Sequence, residues 1–561
     1  MLGNTSIEWA TPSWCAALET LEPNGLALLI IDGFGPLPQP RRTISFVDRA
    51  GTSHLLPVVS HAPDLSSSCA TWVIVGRDGS RVRSCRDVLG SRIAYWGQNA
   101  GSIAIGTEPR ELSIRLGLAP TEDAGSAIRF LAGIGPFPTA SAYQGISELP
   151  AGACIQWRNG RLDCTAPVRL PETPSQAACE KQTIRWFRQL FEASVESAGQ
   201  SRQPLGIMLS GGLDSAPAAA IIKPHRDRLN LDTFAVSWSL DRFAEADESG
   251  WIRKIAASLD LELDLFDASD LLPFSGIDSD SGYSVPDFPQ INAVRPLILE
   301  CYRRAKAHAA DVILNAAGGD RLYPAPSWIL LDQLARARIG QAASSIRNEI
   351  AQHGLAFFHR APSIRYAATI LLGRVGYRRR QKAPRFLTED ALGLLAEQAS
   401  RERQNEIASS LHPLYLRQLL NTADGSAREA AFSRRYGLDR RDPSQSPVLS
   451  GFMLNLPFEY SYRNGQSKWI MRQAMSGALP EQILAKGRTG DLTNFFRAGF
   501  RTHFPIMRSL LLDNKGYWSK WIKPSSMQAI LGDSGPSASQ MMLIMRCVGY
   551  TLWKQRYPTE S

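Results

Sequence analysis

The sequence predicts an α/β protein in two parts, a sheet-rich amino-terminal portion and a longer carboxy-terminal portion in which a parallel sheet is wrapped by helices. Three observations predict it. Short β-rich runs at residues 26–31, 71–75, 93–96, 102–105 and 153–157 follow one another between Gly, Asp, Asn and Pro turns, as in an antiparallel sheet. Beyond residue 200, short apolar strands alternate with helical stretches, the pattern of a parallel sheet covered on both faces. One of those strands runs directly into two glycines flanked by hydroxyls and an acid.

The elements follow in order. After the β-rich runs, a stretch with three prolines and two threonines from Thr165 to Pro174 breaks the pattern and reads as a linker. A helix is expected from Gln176 to about Ala198, because Ile184, Phe187, Leu190, Phe191 and Val195 recur at helical spacing. Strands are then expected at 205–209, 233–238 and 311–315, with helices from Ser215 and over 248–259. From about 325 onward the chain reads as mostly helical, with polar loops near 421–427 and 532–538 and no internal repeat.

Composition narrows the class. With 561 residues, 44% hydrophobic and 20% charged, the chain is too long for one ordinary core and too apolar for large-scale disorder. The longest apolar runs, 26–31 and 367–372, fall well short of the roughly 20 residues that span a bilayer, so they read as a core strand and a core helix. Glu8 comes before any apolar run, which does not fit a secretory signal, and a cytoplasmic location is expected. The eight cysteines are scattered without a C-x-x-C pair, so reduced, mostly buried thiols are expected. A net charge of +9 fits an acidic substrate or a basic proteome, and no nucleic-acid motif accompanies it. The densest basic run, 378–382, reads as solvated surface or as a dock for an acidic partner.

The stretch 206–215, Gly-Ile-Met-Leu-Ser-Gly-Gly-Leu-Asp-Ser, carries the chemistry. Gly211 and Gly212 allow an anion to approach the backbone, and the N–H groups of the following helix point at phosphate oxygens. Ser210 and Ser215 add hydroxyl donors. Asp214 beside a phosphate requires a cation between them, which suggests Mg²⁺. The motif lacks the lysine of G-x-x-x-x-G-K-[ST]. It resembles instead the pyrophosphate loop of the N-type ATP pyrophosphatases, which implies cleavage of ATP to AMP and pyrophosphate.

Further segments resemble the asparagine synthetase superfamily over nearly the whole chain. Residues 233–238 match its second synthetase strand, where backbone near Val236 would contact adenine, and Ala246-Asp247-Glu248 matches the D-E segment that follows. Residues 312–320 are similar to the G-E-G-x-D loop, which implies Asn315, Ala316 and Gly318 at the nucleotide and Asp320 as the second Mg²⁺ carboxylate beside Asp214. Leu209 to Ser215 would hold the phosphates. Asp439, Arg441 and Pro443 match E-x-R-x-P-F, and 468–480 resembles the K-x-x-L-R…LP segment. Residues 86–92, 106–108 and 145–152 resemble the R-D-x-x-G-x-R, A-S-E and lPpG segments of the glutamine-hydrolysing domain. The resemblance therefore implies an N-terminal nucleophile hydrolase-like αββα sandwich over 1–170. An adenine nucleotide α-hydrolase-like synthetase domain, rich in helices, would follow over 171–561.

The departures are informative. Glutamine hydrolysis in this superfamily uses an amino-terminal cysteine, whereas this chain has Leu2 and a first cysteine at Cys15, so the amino-terminal domain is expected to be non-hydrolytic. Ala317 stands where asparagine synthetases carry glutamate and β-lactam synthetases tyrosine. The lysine expected near 486–491 has two candidates, Lys486 and Arg488, either of which would stabilise oxyanion and pyrophosphate charge. Asp439 is a candidate general base, with a salt bridge to Arg440 or Arg441 as the alternative. The segment 486–493 and the Arg-rich stretch 330–385 are most similar to the lasso peptide cyclases. That resemblance implies ATP and Mg²⁺, adenylation of an Asp or Glu side chain of a precursor peptide, and macrolactam closure by the peptide's amino-terminal amine. It also implies a leader peptidase and a leader-recognition protein as partners. Open alternatives are an asparagine synthetase-like or β-lactam synthetase-like enzyme on a small molecule, and a non-catalytic scaffold.

Overall fold

In the computed structural model, the described residues are 26–34, 42–47, 53–59, 69–76, 81–100, 102–134, 140–158, 161–165, 179–279, 283, 288–316, 318–323, 333–334, 337–353, 384–402, 427–463, 466–487, 490–532 and 536–559. The linker beyond Thr165, the apolar run 367–372, the basic run 378–382, the polar loop 421–426, Ala317 and Arg488 lie outside them.

The first ten strands are β1 (Leu26–Phe34), β2 (Arg42–Val47), β3 (Ser53–Val59), β4 (Cys69–Gly76), β5 (Arg81–Cys85), β6 (Tyr95–Asn99), β7 (Ser102–Gly106), β8 (Ile146–Glu148), β9 (Cys154–Arg158) and β10 (Arg161–Thr165). They form a seven-stranded sheet, β10-β9-β5-β4-β1-β3-β2, and a three-stranded sheet, β7-β6-β8. Every pairing in both is antiparallel, as the turn-punctuated runs predicted. Strands β2, β3, β5, β8 and β10 escaped the sequence reading because their apolar runs are short and broken by Arg, Ser, Asp or, in β3, Pro57.

One expectation is corrected here. Cys85 and Cys154 are not free thiols but a disulfide. They sit directly opposite one another on neighbouring antiparallel strands, a pairing that brings the two Cβ atoms together across 69 residues of chain. Of the other cysteines described, Cys301 and Cys547 are buried thiols and Cys179 is exposed.

The second part holds β11 (Leu205–Met208), β12 (Thr233–Ser239), β13 (Glu262–Asp267), β14 (Val312–Leu314) and β15 (Asp439–Arg441) in one parallel sheet ordered β13-β12-β11-β14-β15. Helices Ser215–Arg228, Ser249–Ser258 and Arg295–Ala307 make the crossovers. Chain order runs outward from β11 to one side and then returns to the other, so the strand order reverses between β11 and β14. A crevice opens at the carboxyl ends of those two strands, where ligands of open α/β sheets bind. The long amphipathic helix Glu180–Ala198 buries Phe187, Phe191 and Val195 against the sheet.

Among the described residues, the two parts share one apolar cluster. Ile93, Tyr95, Leu112, Ile128 and Tyr143 from the first pack in one apolar cluster with Trp518, Trp521, Tyr550 and Trp553 from the last helices. Polar contacts follow the same seam: Glu122 accepts from Tyr550 Oη at 2.8 Å and pairs with Lys554 at 2.8 Å, and Glu148 pairs with Arg428 at 3.0 Å. Among the described residues, no helix is long and apolar enough to cross a membrane.

Candidate active site

The loop after β11 closes on itself. Ser215 Oγ accepts the Ser210 N–H at 2.8 Å and lies 3.0 Å from Ser210 Oγ, while Gly212 N–H donates to Ser210 Oγ at 3.4 Å. Leu209, buried beneath, donates its N–H to the Val236 carbonyl at 3.1 Å, and Ser237 Oγ donates to the Leu209 carbonyl at 2.6 Å. Val236 is thus the residue of β12 that fixes the loop's entry. Gly211 is confined by its neighbours: a methyl group there would sit 3.0 Å from the Cβ atoms of both Glu248 and Trp251.

Across the crevice, the loop after β14 comes from the second strand of the switch point. Asn315 N–H donates to the Arg441 carbonyl at 2.8 Å, and its amide reaches the Met208 sulfur at 3.2 Å. The Ala316 carbonyl accepts from Gly319 N–H at 3.1 Å, opening the short helix Gly319–Leu322 with Asp320 in its first turn. Gly318 N–H donates to the buried Asp442 carboxylate at 2.6 Å. A side chain on Gly319 would run into the Asp214 carboxylate, so this loop presses directly onto the phosphate loop.

The sequence placed Asp214 and Asp320 together, and the structure does so around one cation. Lys468 Nζ lies 2.5 Å from Asp214 and 2.8 Å from Asp320. Burial raises the Asp214 carboxyl above its ordinary value; the Lys468 charge opposes this, and the Asp320 and Asp442 charges add to it. Lys468 holds a left-handed backbone conformation, φ 55°, which a non-glycine residue adopts only where its surroundings impose it. Those surroundings include Trp469 N–H donating to the Ser461 carbonyl at 3.2 Å and Arg472 N–H donating to the Lys468 carbonyl at 3.1 Å.

The second cation is Lys486. Its Nζ donates to the Gly211 carbonyl at 2.6 Å and to Glu248 at 2.5 Å, and lies 5.3 Å from the centre of the Trp251 ring. One buried guanidinium braces both lysine segments. Arg472 donates to the Ser467 carbonyl at 2.7 Å, to the Lys486 carbonyl at 3.1 Å and to the Leu484 carbonyl.

Asp439 lies elsewhere. It opens β15 opposite Val312, at the amino end of the sheet, away from the loops. It pairs with Arg441 at 2.7 Å and with Arg92 of the amino-terminal part at 2.9 Å. Burial pushes its carboxyl up, but Arg92 and Arg441 together outweigh burial and hold it below the ordinary aspartate value. An ionised carboxylate committed to two guanidiniums is a poor proton acceptor, so its expected role as general base gives way to that of a structural ion pair. Arg440, the other partner considered, is not in that pair.

Sequence reasoning missed the functional side chains of Lys468, Glu248, Trp251 and Asp442. Lys468 and Glu248 stood inside the matched segments, but a lone charge carries no signal of the partner it meets more than 230 residues away. Among the described residues, no group of three or more His, Cys, Asp or Glu side chains forms a metal centre. The carboxylates of Asp214 and Asp320 nevertheless share one cation position, here filled by an ammonium, as a divalent ion completed by phosphate oxygens would require.

The family description Asparagine synthase matches residues 186–554. Asparagine synthetase (glutamine-hydrolyzing) 3 of Bacillus subtilis (strain 168) is 20% identical over 423 residues, which cover 72% of this chain and 64% of that protein. Two solved structures align loosely. The U34-tRNA thiolase NcsA from Methanococcus maripaludis, with its 4Fe-4S cluster, covers 45% of this chain and 81% of its own at 12% identity and a TM-score of 0.20. The glutamine phosphoribosylpyrophosphate amidotransferase from B. subtilis, complexed with ADP and GMP, covers 44% and 57% at 9% identity and a TM-score of 0.13.

Proposed function

The chain belongs to the asparagine synthase family, and from that premise we propose that it is an ATP-dependent, AMP-forming amide ligase, specifically a lasso peptide cyclase. The observation that carries the ligase reading is the convergence of Asp214, Asp320, Lys468 and Lys486 on the phosphate loop at the switch point of the parallel sheet. Asp214 and Asp320 would hold Mg²⁺, which when bound supplies charge neutralisation to the leaving pyrophosphate. Lys468, released from the carboxylates, and Lys486 are the cations available to the phosphate oxygens. Loop N–H groups and the start of helix Ser215–Arg228 orient the triphosphate.

The chemistry has two steps. A side-chain carboxylate oxygen of the peptide attacks the α-phosphorus, the bond between the α-phosphorus and the bridging oxygen breaks, and pyrophosphate leaves. The amino-terminal amine then attacks the acyl carbon, the bond to AMP breaks, and the amine's proton passes to solvent or phosphate. Holding amine and acyl group in contact makes closure intramolecular, which is the enzyme's main contribution to the second step. The resemblance of 486–493 supports a peptide substrate, prepared by a peptidase and a leader-recognition protein that expose the amine. A cytoplasmic site of action fits these partners.

The test is incubation with Mg-ATP, the peptidase and a candidate precursor peptide, following peptide mass and AMP together. Loss of one water from the core peptide, coupled to AMP, is the expected result. AMP released only with aspartate and ammonia would move the reading to a small-molecule synthetase, to which the Bacillus subtilis relative's name points. No AMP under any condition would leave a scaffold.

A further inference from the structure

We propose that Glu248 is a positioning residue that holds Lys486 against the phosphate loop and ties it to Gly490. The inference rests on the ligase reading above and concerns the same site. Lys486 is an ammonium with three protons on a flexible stem. Two of those protons are taken, one by the Gly211 carbonyl at 2.6 Å and one by Glu248 at 2.5 Å, which leaves a single donor to point into the crevice.

Glu248 is fixed by its place in the fold. It precedes helix Ser249–Ser258, the crossover that leaves β12, and its Cβ lies within 3.0 Å of where a methyl on Gly211 would be. The same Oε1 that accepts from Lys486 accepts the Gly490 N–H at 3.0 Å. Around it, Asp491 N–H donates to the Glu245 carbonyl at 2.8 Å, and the Asn494 amide donates to the Glu245 carboxylate at 2.7 Å. A side chain at Gly490 would meet the Ala246 carbonyl at 2.7 Å, so Gly490 packs closely on the segment 245–248. Trp251, one turn on, closes the other side of the ammonium. The carboxylate thus performs two tasks at one atom: it orients the lysine and pins the segment that carries it.

Charge fixes the sign of the expected effects. With Lys486 present, Glu248 is neutralised and costs a bound triphosphate little, while its loss frees the ammonium to swing out. Without Lys486, the same carboxylate is an uncompensated negative charge facing phosphate. Removing Glu248 should therefore weaken Mg-ATP binding in the wild type and strengthen it in Lys486→Met.

The test is a double-mutant cycle read by calorimetric titration with Mg-ATP and with Mg-pyrophosphate, with melting temperatures recorded for each variant. Glu248→Ala is expected to lose about tenfold in affinity and Glu248→Gln, which keeps the acceptor, about threefold; in the Lys486→Met background both changes should gain affinity. Losses of equal size in both backgrounds would overturn the role of Glu248 while leaving the ligase reading intact, as would unchanged affinity in every variant. A wild-type protein that binds neither probe would overturn the ligase reading, and this inference with it.

Discussion

Two networks of charge meet on the same parallel sheet, one at each end of its strands, and they are built from different cations. At the amino end of β15, Asp439 lies between two guanidiniums, Arg92 and Arg441, and Arg441 also donates to the carbonyls of Ala198 and Gln200 at 3.1 and 2.7 Å. At the carboxyl ends of β11 and β14, two lysines meet three carboxylates, and the outermost, Asp320, has 84% of its side chain exposed. Arginine's planar fork locks several acceptors at once and stays charged when buried; lysine's ammonium is a point charge on a stem that can be redirected. The difference separates a joint from a site. The arginines fasten the amino-terminal part to the parallel sheet, and the lysines stand at the crevice.

That contrast can be broken, beginning with its largest expected effect. Asp214→Ala should reduce AMP formation by about 1000-fold, since the variant loses the carboxylate on which the cation position is built. A melting curve close to wild type would show that the loss is chemical. Arg92→Ala should do the reverse. Leaving Asp439 buried with one partner fewer should cost about 3–5 kcal/mol, read in denaturant unfolding. Mg-ATP affinity should stay within about twofold of wild type, because the joint and the site lie at opposite ends of the strands. A variant with normal stability and lost affinity would collapse the distinction.

Two smaller effects sharpen it. In Lys468→Met the carboxylate pair keeps its place without its ammonium, so millimolar Mg²⁺ alone should stabilise the variant by about 1 kcal/mol and the wild type hardly at all. Equal responses would mean that Lys468 does not stand in the metal's position. The last effect lies in acid. The folded Asp439 carboxyl lies below its unfolded value, so its stabilising contribution is complete above the unfolded aspartate value of about 3.9 and is lost as the pH falls through the folded value. Removing Arg92 takes away the larger opposing charge and brings the folded value back towards the unfolded one, so the acid limb of the melting temperature should be shallower in Arg92→Ala. Superimposed limbs would remove Asp439 from the account of acid stability.

The amino-terminal segment that resembles R-D-x-x-G-x-R shows how a motif can be legible while its use is not. Asp87 accepts from the Ser91 and Arg92 backbone N–H groups at 2.9 and 3.1 Å, and Arg86 donates to the Arg92 and Leu149 carbonyls and to Glu148. The turn closes on itself, with Gly90 at φ 64° pressed against Ala151. Its last residue, Arg92, reaches out of the domain to Asp439. Nothing local to 86–92 announces that partner, 347 positions away by the numbering, and the segment 439–443 offered Asp439 as a base instead.

By itself the sequence determined what local rules govern: the phosphate loop, because strand, glycines, hydroxyls and acid are contiguous, and the parallel sheet, because strands and helices alternate at readable periods. It also put Asp214 and Asp320 together, since each sits on its own short motif, and both lie against Lys468. Only the tertiary structure decided which cations serve that site. Lys468 and Lys486 reach it through Arg472 and Glu248, contacts set by packing rather than by neighbours in sequence. It likewise decided that Asp439 belongs to a joint, that Cys85 and Cys154 are paired, and that residues of both parts meet in one apolar cluster. A side chain's chemistry is written in its type, but its role is set by the partners that burial forces upon it, and those lie hundreds of residues away.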